Sequence, residues 1–183
     1  LGSYGVVPDH ASLRLAGSFT FTAWIAPTSQ RVGPPDQRVG AEGLLTKWRP
    51  GSPNASGYAI GIDDGGRLSV SLADGTGRVE TLRADVPLRP WIPAIPGPNQ
   101  RPRGVATSWY FIAVSFDSRT GRVVLTQDPR NDFPFDATRA SVERTTSLRA
   151  IATNDEPVLM AARRQASGRP GDFYNGKLDN PRL

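Results

Sequence analysis

The chain has 183 residues, of which 38% are hydrophobic and 8% aromatic, so it is long and apolar enough to fold as one domain and is not a disordered tail. No apolar run approaches the ~20 residues of a membrane span, and the absence of cysteine excludes disulfides and thiolate metal sites. The net charge is +5, but its arginines are spread singly and lack the stacking aromatics of a nucleic-acid platform. We expect neither nucleic acid nor a membrane as a partner.

Alternating apolar residues predict most of the strands. In SFTFTAWIAP, Phe19 begins an apolar face and Trp24 falls on the opposite face. GYAIGI and RLSVSL flank DDGG, a pattern typical of a β-hairpin because Asp-Gly and Gly-Gly readily adopt positive φ. WYFIAVSFD and GRVVLTQD flank SRTG, and the first of these is apolar on both faces, which is typical of a central, covered strand. EPVLMAARR and FYNGKLDNPRL supply two more strands.

Helical periodicity is almost absent, and 19 glycines and 17 prolines punctuate the chain. Many short strands with regular turns predict an all-β fold, a two-sheet antiparallel jelly-roll sandwich. We assign residues 1–183 to a single domain. Because both ends fall within the residue pattern of a strand, we expect it to be a fragment of a larger chain.

Two loops carry apolar side chains that a short turn would lack. Residues 87–108 contain six prolines, too many for a strand interior, since proline fixes φ and removes an amide donor. We expect a stiff loop insertion, partly in polyproline II conformation. Such residues either cover the domain's own core or form an interface. The candidates in this loop and in QDPRNDFPFDATRA are Trp91, Ile92, Ile95, Phe133 and Phe135.

In their order, SLRLAGSFTFTAWIAPT, GLLTKW, GYAIGIDDGGRLSVSL, WYFIAVSFDSRTGRVVL and FYNGKLDNPRL resemble the laminin-G-like, concanavalin A-like jelly roll. Three motifs carry the resemblance: aromatic-Thr-aromatic-x-x-Trp, W-x-x-[IVL]-A-x-x-[FY]-D and a closing [FY]-x-G-x-[IL]-D. The resemblance covers nearly the whole chain and implies that the last strand returns beside the first. It does not define the function, because this superfamily serves sugar binding, adhesion, hydrolysis and architecture.

A narrower resemblance concerns GSYGVVPD, KWRPG with GYAIGIDDGG, and YNGKLDNPRL. These segments are similar to the jelly-roll domain at the front of the large subunit of N,N-dimethylformamidase. That family hydrolyses a small formamide at an iron site in the later part of the subunit. The resemblance implies a non-catalytic structural or interaction domain, with iron only elsewhere in the parent protein. Its partners would be the remaining domains or subunits of that parent. Since the sequence shows no signal peptide or transmembrane segment, we expect a cytoplasmic location.

The residues themselves argue against an independent hydrolase. His10 is the only histidine and lies in a turn-like segment, so neither a Ser-His-Asp triad nor a histidine metal site is indicated. Concanavalin A-like glycosidases need paired carboxylates, one to protonate the leaving oxygen and one to attack or to activate water. The four glutamates are scattered and show no such spacing. We therefore predict no catalytic residue in this domain.

A carbohydrate-binding module is the alternative function. A sugar needs an aromatic platform beside polar groups, and the loop rim offers one set of candidates: Trp48, Tyr58, Asn54 and Asp63. Trp24 and Trp109 lie within predicted strands and are expected to be core or sheet-face residues. Asn54 also fits the short NAS pattern of a glycosylation acceptor.

Calcium is the one metal that the resemblance suggests for this domain. Related jelly rolls often hold an ion with an aspartate of the closing strand and carbonyls of the first strands, and the matching residue is Asp179. Oxygen ligands of this kind suit Ca²⁺. The alternative is that Asp179 caps a turn or pairs with an arginine. We expect no other cofactor.

Overall fold

The computed structural model describes residues 3–28, 40–51, 53–88, 109–130 and 138–183. In these residues the regular structure is all β, apart from a 3₁₀ turn at Ala11–Leu13. The described part of the chain holds no helix that could cross a bilayer. The strands are β1 (Gly5–Val7), β2 (Phe19–Pro27), β3 (Glu42–Arg49), β4 (Ser56–Ile62), β5 (Leu68–Asp74), β6 (Val79–Arg83), β7 (Tyr110–Asp117), β8 (Arg122–Pro129), β9 (Ala140–Thr145), β10 (Val158–Met160), β11 (Arg163–Arg164), β12 (Pro170–Gly171) and β13 (Gly176–Arg182).

Two antiparallel sheets form the sandwich. One has six strands in the order β1-β10-β3-β4-β5-β6, and the other has five in the order β13-β2-β7-β8-β9. β11 and β12 form a separate two-stranded ribbon. The predicted two-sheet jelly roll is therefore confirmed, as are the β4–β5 and β7–β8 hairpins.

The core lies between the two sheets and is built by strict alternation along the strands. On β2, every second residue from Phe19 to Ile25 is buried, and on β7 the same holds from Tyr110 to Phe116. The facing hairpin contributes six more core residues: Tyr58, Ile60, Ile62, Leu68, Val70 and Leu72. Because a strand turns successive side chains to opposite faces, the remaining residues of β2 and β7 form the outer face of the five-stranded sheet.

That outer face differs from the prediction for β7. β7 is the middle strand of its sheet, as its apolar pattern indicates. However, Phe111 and Ala113 on its outer side are only half-buried, so the strand is covered fully on one face alone. The partly exposed aromatic surface is where the candidate site lies.

The prediction that the last strand lies beside the first is wrong. β13 pairs with β2, whereas β1 lies at the edge of the other sheet beside β10. The three-residue β1 offers a short ladder, while the nine-residue β2 can pair with the whole of β13. The two ends of the chain meet only through side chains, with ring centroids of Tyr4 and Phe173 5.8 Å apart.

A buried lysine ties the N-terminal segment to the six-stranded sheet. The Lys47 side chain is buried, and its Nζ donates to Asp9 Oδ1 at 2.6 Å and to the Glu156 carbonyl oxygen. Asp9 also accepts from Arg14 Nε at 3.0 Å. The hydrogen bonds from Arg14 and then Lys47 hold the pKa of the Asp9 carboxyl well below its usual range.

We expect this cluster to make stability depend on pH in the acid range. Because the pKa of Asp9 is lower in the folded chain than in the unfolded chain, where it is about 3.9, its contribution to stability is complete above about pH 5 and is lost as the pH falls from there toward the folded pKa. Asp9→Asn should therefore lose less stability than the parent between pH 7 and pH 3, measured by urea unfolding. Asp64→Asn, at an exposed turn position, is the matched control and should behave like the parent. An equal loss in Asp9→Asn and the parent would contradict this account.

Candidate functional site

An open cavity of about 300 Å³ lies on the outer face of the five-stranded sheet. The described residues that line it are Trp24, Trp109, Arg130 and Asp179. Both tryptophans are half-buried, while Arg130 and Asp179 are exposed. The cavity thus combines two indoles with one cation and one carboxylate.

The register of the sheet explains how one side of the cavity is assembled. Asp179 on β13 pairs with Trp24 on β2, and Trp24 pairs with Phe111 on β7. Directly paired residues project to the same face, so the three side chains form one row across the sheet. The Phe111 ring meets Trp24 edge-on, with centroids 5.6 Å apart and an interplanar angle of 62°. This contact supports the indole of Trp24 from one side.

A second row brings Trp109 and Arg130 together. Trp109 immediately precedes β7 and Arg130 immediately follows β8, and the Arg130 amide donates to the Trp109 carbonyl oxygen at 2.8 Å. The β7–β8 ladder therefore continues by one pair. Since Trp109 stands two residues before Phe111, it projects to the same face of the sheet.

A β-bulge shapes the β13 side of the site. Asp179 pairs with Trp24 but Arg182 pairs with Thr22, so Asn180 and Pro181 together oppose a single residue of β2. Asn180 has φ 49°, a left-handed conformation that asparagine adopts more readily than most residues. The extra residue turns Arg182 to the same face as Asp179, whereas an unbroken alternation would turn it to the inner face.

The cations of this face differ in whether a carboxylate pairs with them. Arg122 pairs with Glu143 at 2.8 Å, and Arg139 pairs with Asp128. Within the described residues no carboxylate forms an ion pair with three other cations of this face. These cations are Arg130, Lys177 and Arg182.

The structure does not bring the predicted sugar platform of Trp48 and Tyr58 together. Trp48 pairs with Gly57, the residue before Tyr58, so the two aromatic side chains lie on opposite faces of the six-stranded sheet. Tyr58 is 1% exposed in the core, and its hydroxyl donates to the Leu13 carbonyl oxygen at 3.2 Å. Trp48 is 6% exposed on the outer face, with the Arg163 guanidinium 4.6 Å from its ring centroid.

The polar members of that predicted set are also apart from one another. Asp63 accepts from the Arg67 amide at 2.8 Å and forms an ion pair with Arg83 at 3.1 Å, so its carboxylate holds the β4–β5 turn. Asn54 is exposed in the turn before β4. The four residues therefore do not form one open sugar site.

Asp179 lies at the cavity, and the calcium ion assigned to it stays a prediction. Ca²⁺ takes six to eight oxygen ligands, and no group of three or more His, Cys, Asp or Glu side chains converges anywhere in the described ranges. The interface candidates Trp91, Ile92, Ile95, Phe133 and Phe135 lie outside the described residues, as does most of the proline-rich loop at residues 87–108. Their role stays a prediction.

The alternation of the sequence placed Trp24 correctly but did not identify it as a site residue. It stands between Thr22 and Ala26, on the outward side of β2, where the neighbouring outward residues Thr20 and Thr22 are polar. A large aromatic in that position is the signal that could have indicated a binding face.

Comparison with known proteins identifies the family. A family model for the concanavalin A-like lectin/glucanases superfamily matches residues 2–183, and no curated protein matches the chain. Two similar solved structures are of the Ruminococcus gnavus IT-sialidase CBM40. The one bound to alpha2,3 sialyllactose has a TM-score of 0.59 at 13% identity, covering 99% of this chain and 86% of that one. The one bound to alpha2,6 sialyllactose has a TM-score of 0.51 at 13% identity, covering 91% and 75%.

Similarity at these identities shows the fold alone. The family model, in contrast, spans nearly the whole sequence from residue 2 to the last residue. The chain therefore belongs to the concanavalin A-like lectin/glucanases superfamily.

Proposed function

We propose that this chain is a non-catalytic saccharide-binding domain of a larger protein, and that the cavity lined by Trp24 and Trp109 is its binding site. The observation that carries the proposal is the combination, on one open sheet face, of two half-buried indoles with Arg130 and Asp179. Saccharides present apolar C–H faces and a rim of hydroxyl groups. Indoles suit the apolar faces, and a guanidinium and a carboxylate supply a donor and an acceptor for the hydroxyls.

The placement of the indoles supports a ligand on this face. Trp24 and Trp109 sit on the outer side of the sheet, away from the core, and keep part of their surface exposed. Proteins rarely leave a group of large apolar side chains on an open face without a partner. The neighbouring Phe111, 5.6 Å from Trp24, extends this apolar surface.

The chemistry of the site supports binding without hydrolysis. A glycosidase needs two carboxyl groups on either side of the scissile bond, and Asp179 is the one carboxylate among the described residues that line the cavity. Asp128, in the same row as Phe111, is engaged by Arg139. The two structures of the R. gnavus module are bound to sialyllactose, and the shared fold supports a saccharide as the ligand class here.

The function of this chain as an interaction domain in a dimethylformamidase-like parent protein stays a prediction. The residues that would form its interface lie outside the described ranges, and the similar structures above are of other proteins. A saccharide-binding domain can also be part of a larger enzyme, so the two functions are compatible.

We expect Trp24→Ala and Trp109→Ala each to weaken saccharide binding strongly. Loss of a central aromatic contact costs about 2 kcal/mol or more, which is about 30-fold in Kd. The parent would first be screened on an array of neutral and acidic oligosaccharides, and the best ligand would then be titrated by calorimetry. Tyr4→Ala, at an aromatic residue just before β1 at the edge of the other sheet that is 43% exposed, is the matched control and should bind like the parent. Unchanged binding by both tryptophan variants, or no binding to any oligosaccharide, would disprove the proposal.

A further inference from the structure

We propose that the saccharide carries a carboxylate group, and that Arg130 is the residue that binds it. This inference rests on the proposed function, because it concerns the same cavity. It adds the chemical class of the ligand, which is an oligosaccharide containing an acidic sugar of the uronic type.

Arg130 has no carboxylate partner among the described residues. Two other arginines of this face, Arg122 at the opposite end of β8 and Arg139 beside Asp128, are engaged by Glu143 and Asp128 respectively. Arg130 lines the cavity and forms no ion pair within the described ranges. A guanidinium presents a planar fork of N–H donors that matches a carboxylate with two parallel hydrogen bonds. A carboxylate on the ligand would therefore supply the anion that the described residues do not.

The cations around the cavity also favour an anionic ligand. Lys177 and Arg182 lie on β13 on either side of Asp179, and the pairing with Ala26 and Thr22 turns both to the site face. Neither forms an ion pair with a described carboxylate. The bulge at Asn180 is what adds Arg182 to this face. Since Arg122 and Arg139 are balanced by Glu143 and Asp128, the three cations without a carboxylate partner outnumber Asp179 and give the described face a positive potential that favours an anionic ligand.

A carboxylated sugar fits this cavity better than a densely sulfated chain does. Asp179 lines the cavity itself, and it would repel closely spaced sulfate groups, which need several adjacent cations. It can instead accept hydrogen bonds from sugar hydroxyls. Two strands, β2 and β7, separate β13 from β8, so their axes are roughly 14 Å apart. A ligand lying across the indoles can reach Arg130 with its carboxylate and Asp179 with its hydroxyls.

The test uses ligands that differ only in the carboxylate charge. Trigalacturonate, a mannuronate trisaccharide and a hyaluronan tetrasaccharide would each be titrated by calorimetry against the parent, beside their neutral methyl esters. Sulfated cellotriose would serve as the sulfated probe. At least one acid should bind about 10-fold or more tightly than its ester, since hydrogen bonds to a charged group are the stronger kind. Arg130→Gln should remove this preference, so that the acid and its ester bind the variant with about equal affinity.

Arg169→Gln is the matched control, because Arg169 is exposed in the turn between β11 and β12 and loses the same charge. It should keep the preference for the acid. Equal affinity for acids and esters would overturn this inference and leave the proposed function in place, provided that Trp24→Ala still weakens binding. Tighter binding of sulfated cellotriose than of every uronic probe would overturn the assignment of a carboxylate. Absence of binding to all the probes would overturn the inference, while binding of other, uncharged oligosaccharides on the array would still support the proposed function.

Discussion

Replacing Gly57 with alanine is expected to lower the free energy of unfolding by more than about 4 kcal/mol, or to prevent folding altogether. Gly57 has φ 101° in β4, and a Cβ at this position would lie 1.9 Å from the carbonyl oxygen of Lys47 and 2.6 Å from Nδ2 of Asn154. The carbonyl belongs to the neighbouring strand β3 and cannot retreat without opening the β3–β4 ladder. Asn154 is fixed as well, since its Nδ2 donates to the Ser56 carbonyl oxygen at 3.0 Å.

Gly168→Ala separates steric overlap from backbone strain. Gly168 has φ 79°, but no atom lies within 4 Å of its added Cβ. The free energy of unfolding of this variant should fall by only about 1–2 kcal/mol, which is the cost of holding alanine in a left-handed conformation. Both variants would be compared with the parent by urea unfolding, followed by circular dichroism. If the two variants lost the same stability, close packing at Gly57 would not be the cause.

The fold could be predicted where a local pattern reports on the core, and not where pairing depends on distant residues. The period of two along β2 and β7 identified the core side of each strand, because the inner face excludes water and tolerates only apolar side chains. β6 and β9 are not predicted. Their sequences, VETLR and ASVERT, alternate between polar and apolar residues only weakly, as charged edge strands do. The pairing of β13 with β2 was missed because no local signal says which strand an edge strand will join.

The candidate site was harder to predict than the fold, because it too depends on pairing between distant residues. Trp24 was correctly placed on a sheet face, but its neighbours Asp179 and Arg130 reach it only through the register of three strand pairs. The rejected platform of Trp48 and Tyr58 failed for a related reason. Residues on neighbouring strands share a face only when they pair directly or are offset by an even number of residues, and Trp48 pairs with Gly57, one residue before Tyr58. Side chains that converge through register cannot be recognised from spacing along the chain.

The β13 segment combines an exposed edge with buried anchors. Tyr174, just before the strand, is 5% exposed and belongs to the core, while Leu178 is half-buried against it. The Asn175 amide donates to Glu42 Oε1 at 2.9 Å, and the Asn175 carbonyl oxygen accepts from the Thr28 amide at 2.9 Å. The segment therefore joins the two sheets in addition to pairing with β2.

Removal of residues 173–183 is consequently expected to leave a chain that unfolds or aggregates. Burial of Tyr174 contributes about 1.5–3 kcal/mol and that of the half-buried Leu178 about half as much, within a total stability of ~5–15 kcal/mol. The deletion would also expose the whole edge of β2 to pairing with other chains.

Point variants divide this effect into its parts and keep the prediction testable if the truncated chain cannot be purified. Tyr174→Ala should cost about 3–5 kcal/mol, the range of a buried aromatic. Leu178→Ala should cost about 1–2 kcal/mol, less than the 2–5 kcal/mol of a fully buried leucine. Lys177→Ala, in the same strand with an exposed side chain, should stay within about 0.5 kcal/mol of the parent. The stabilities of the truncated chain, the three point variants and the parent would be measured by thermal melting and urea unfolding. If the truncated chain stayed soluble and melted at the parent's temperature, or if Tyr174→Ala were as stable as Lys177→Ala, the segment would not be an anchor of the sandwich.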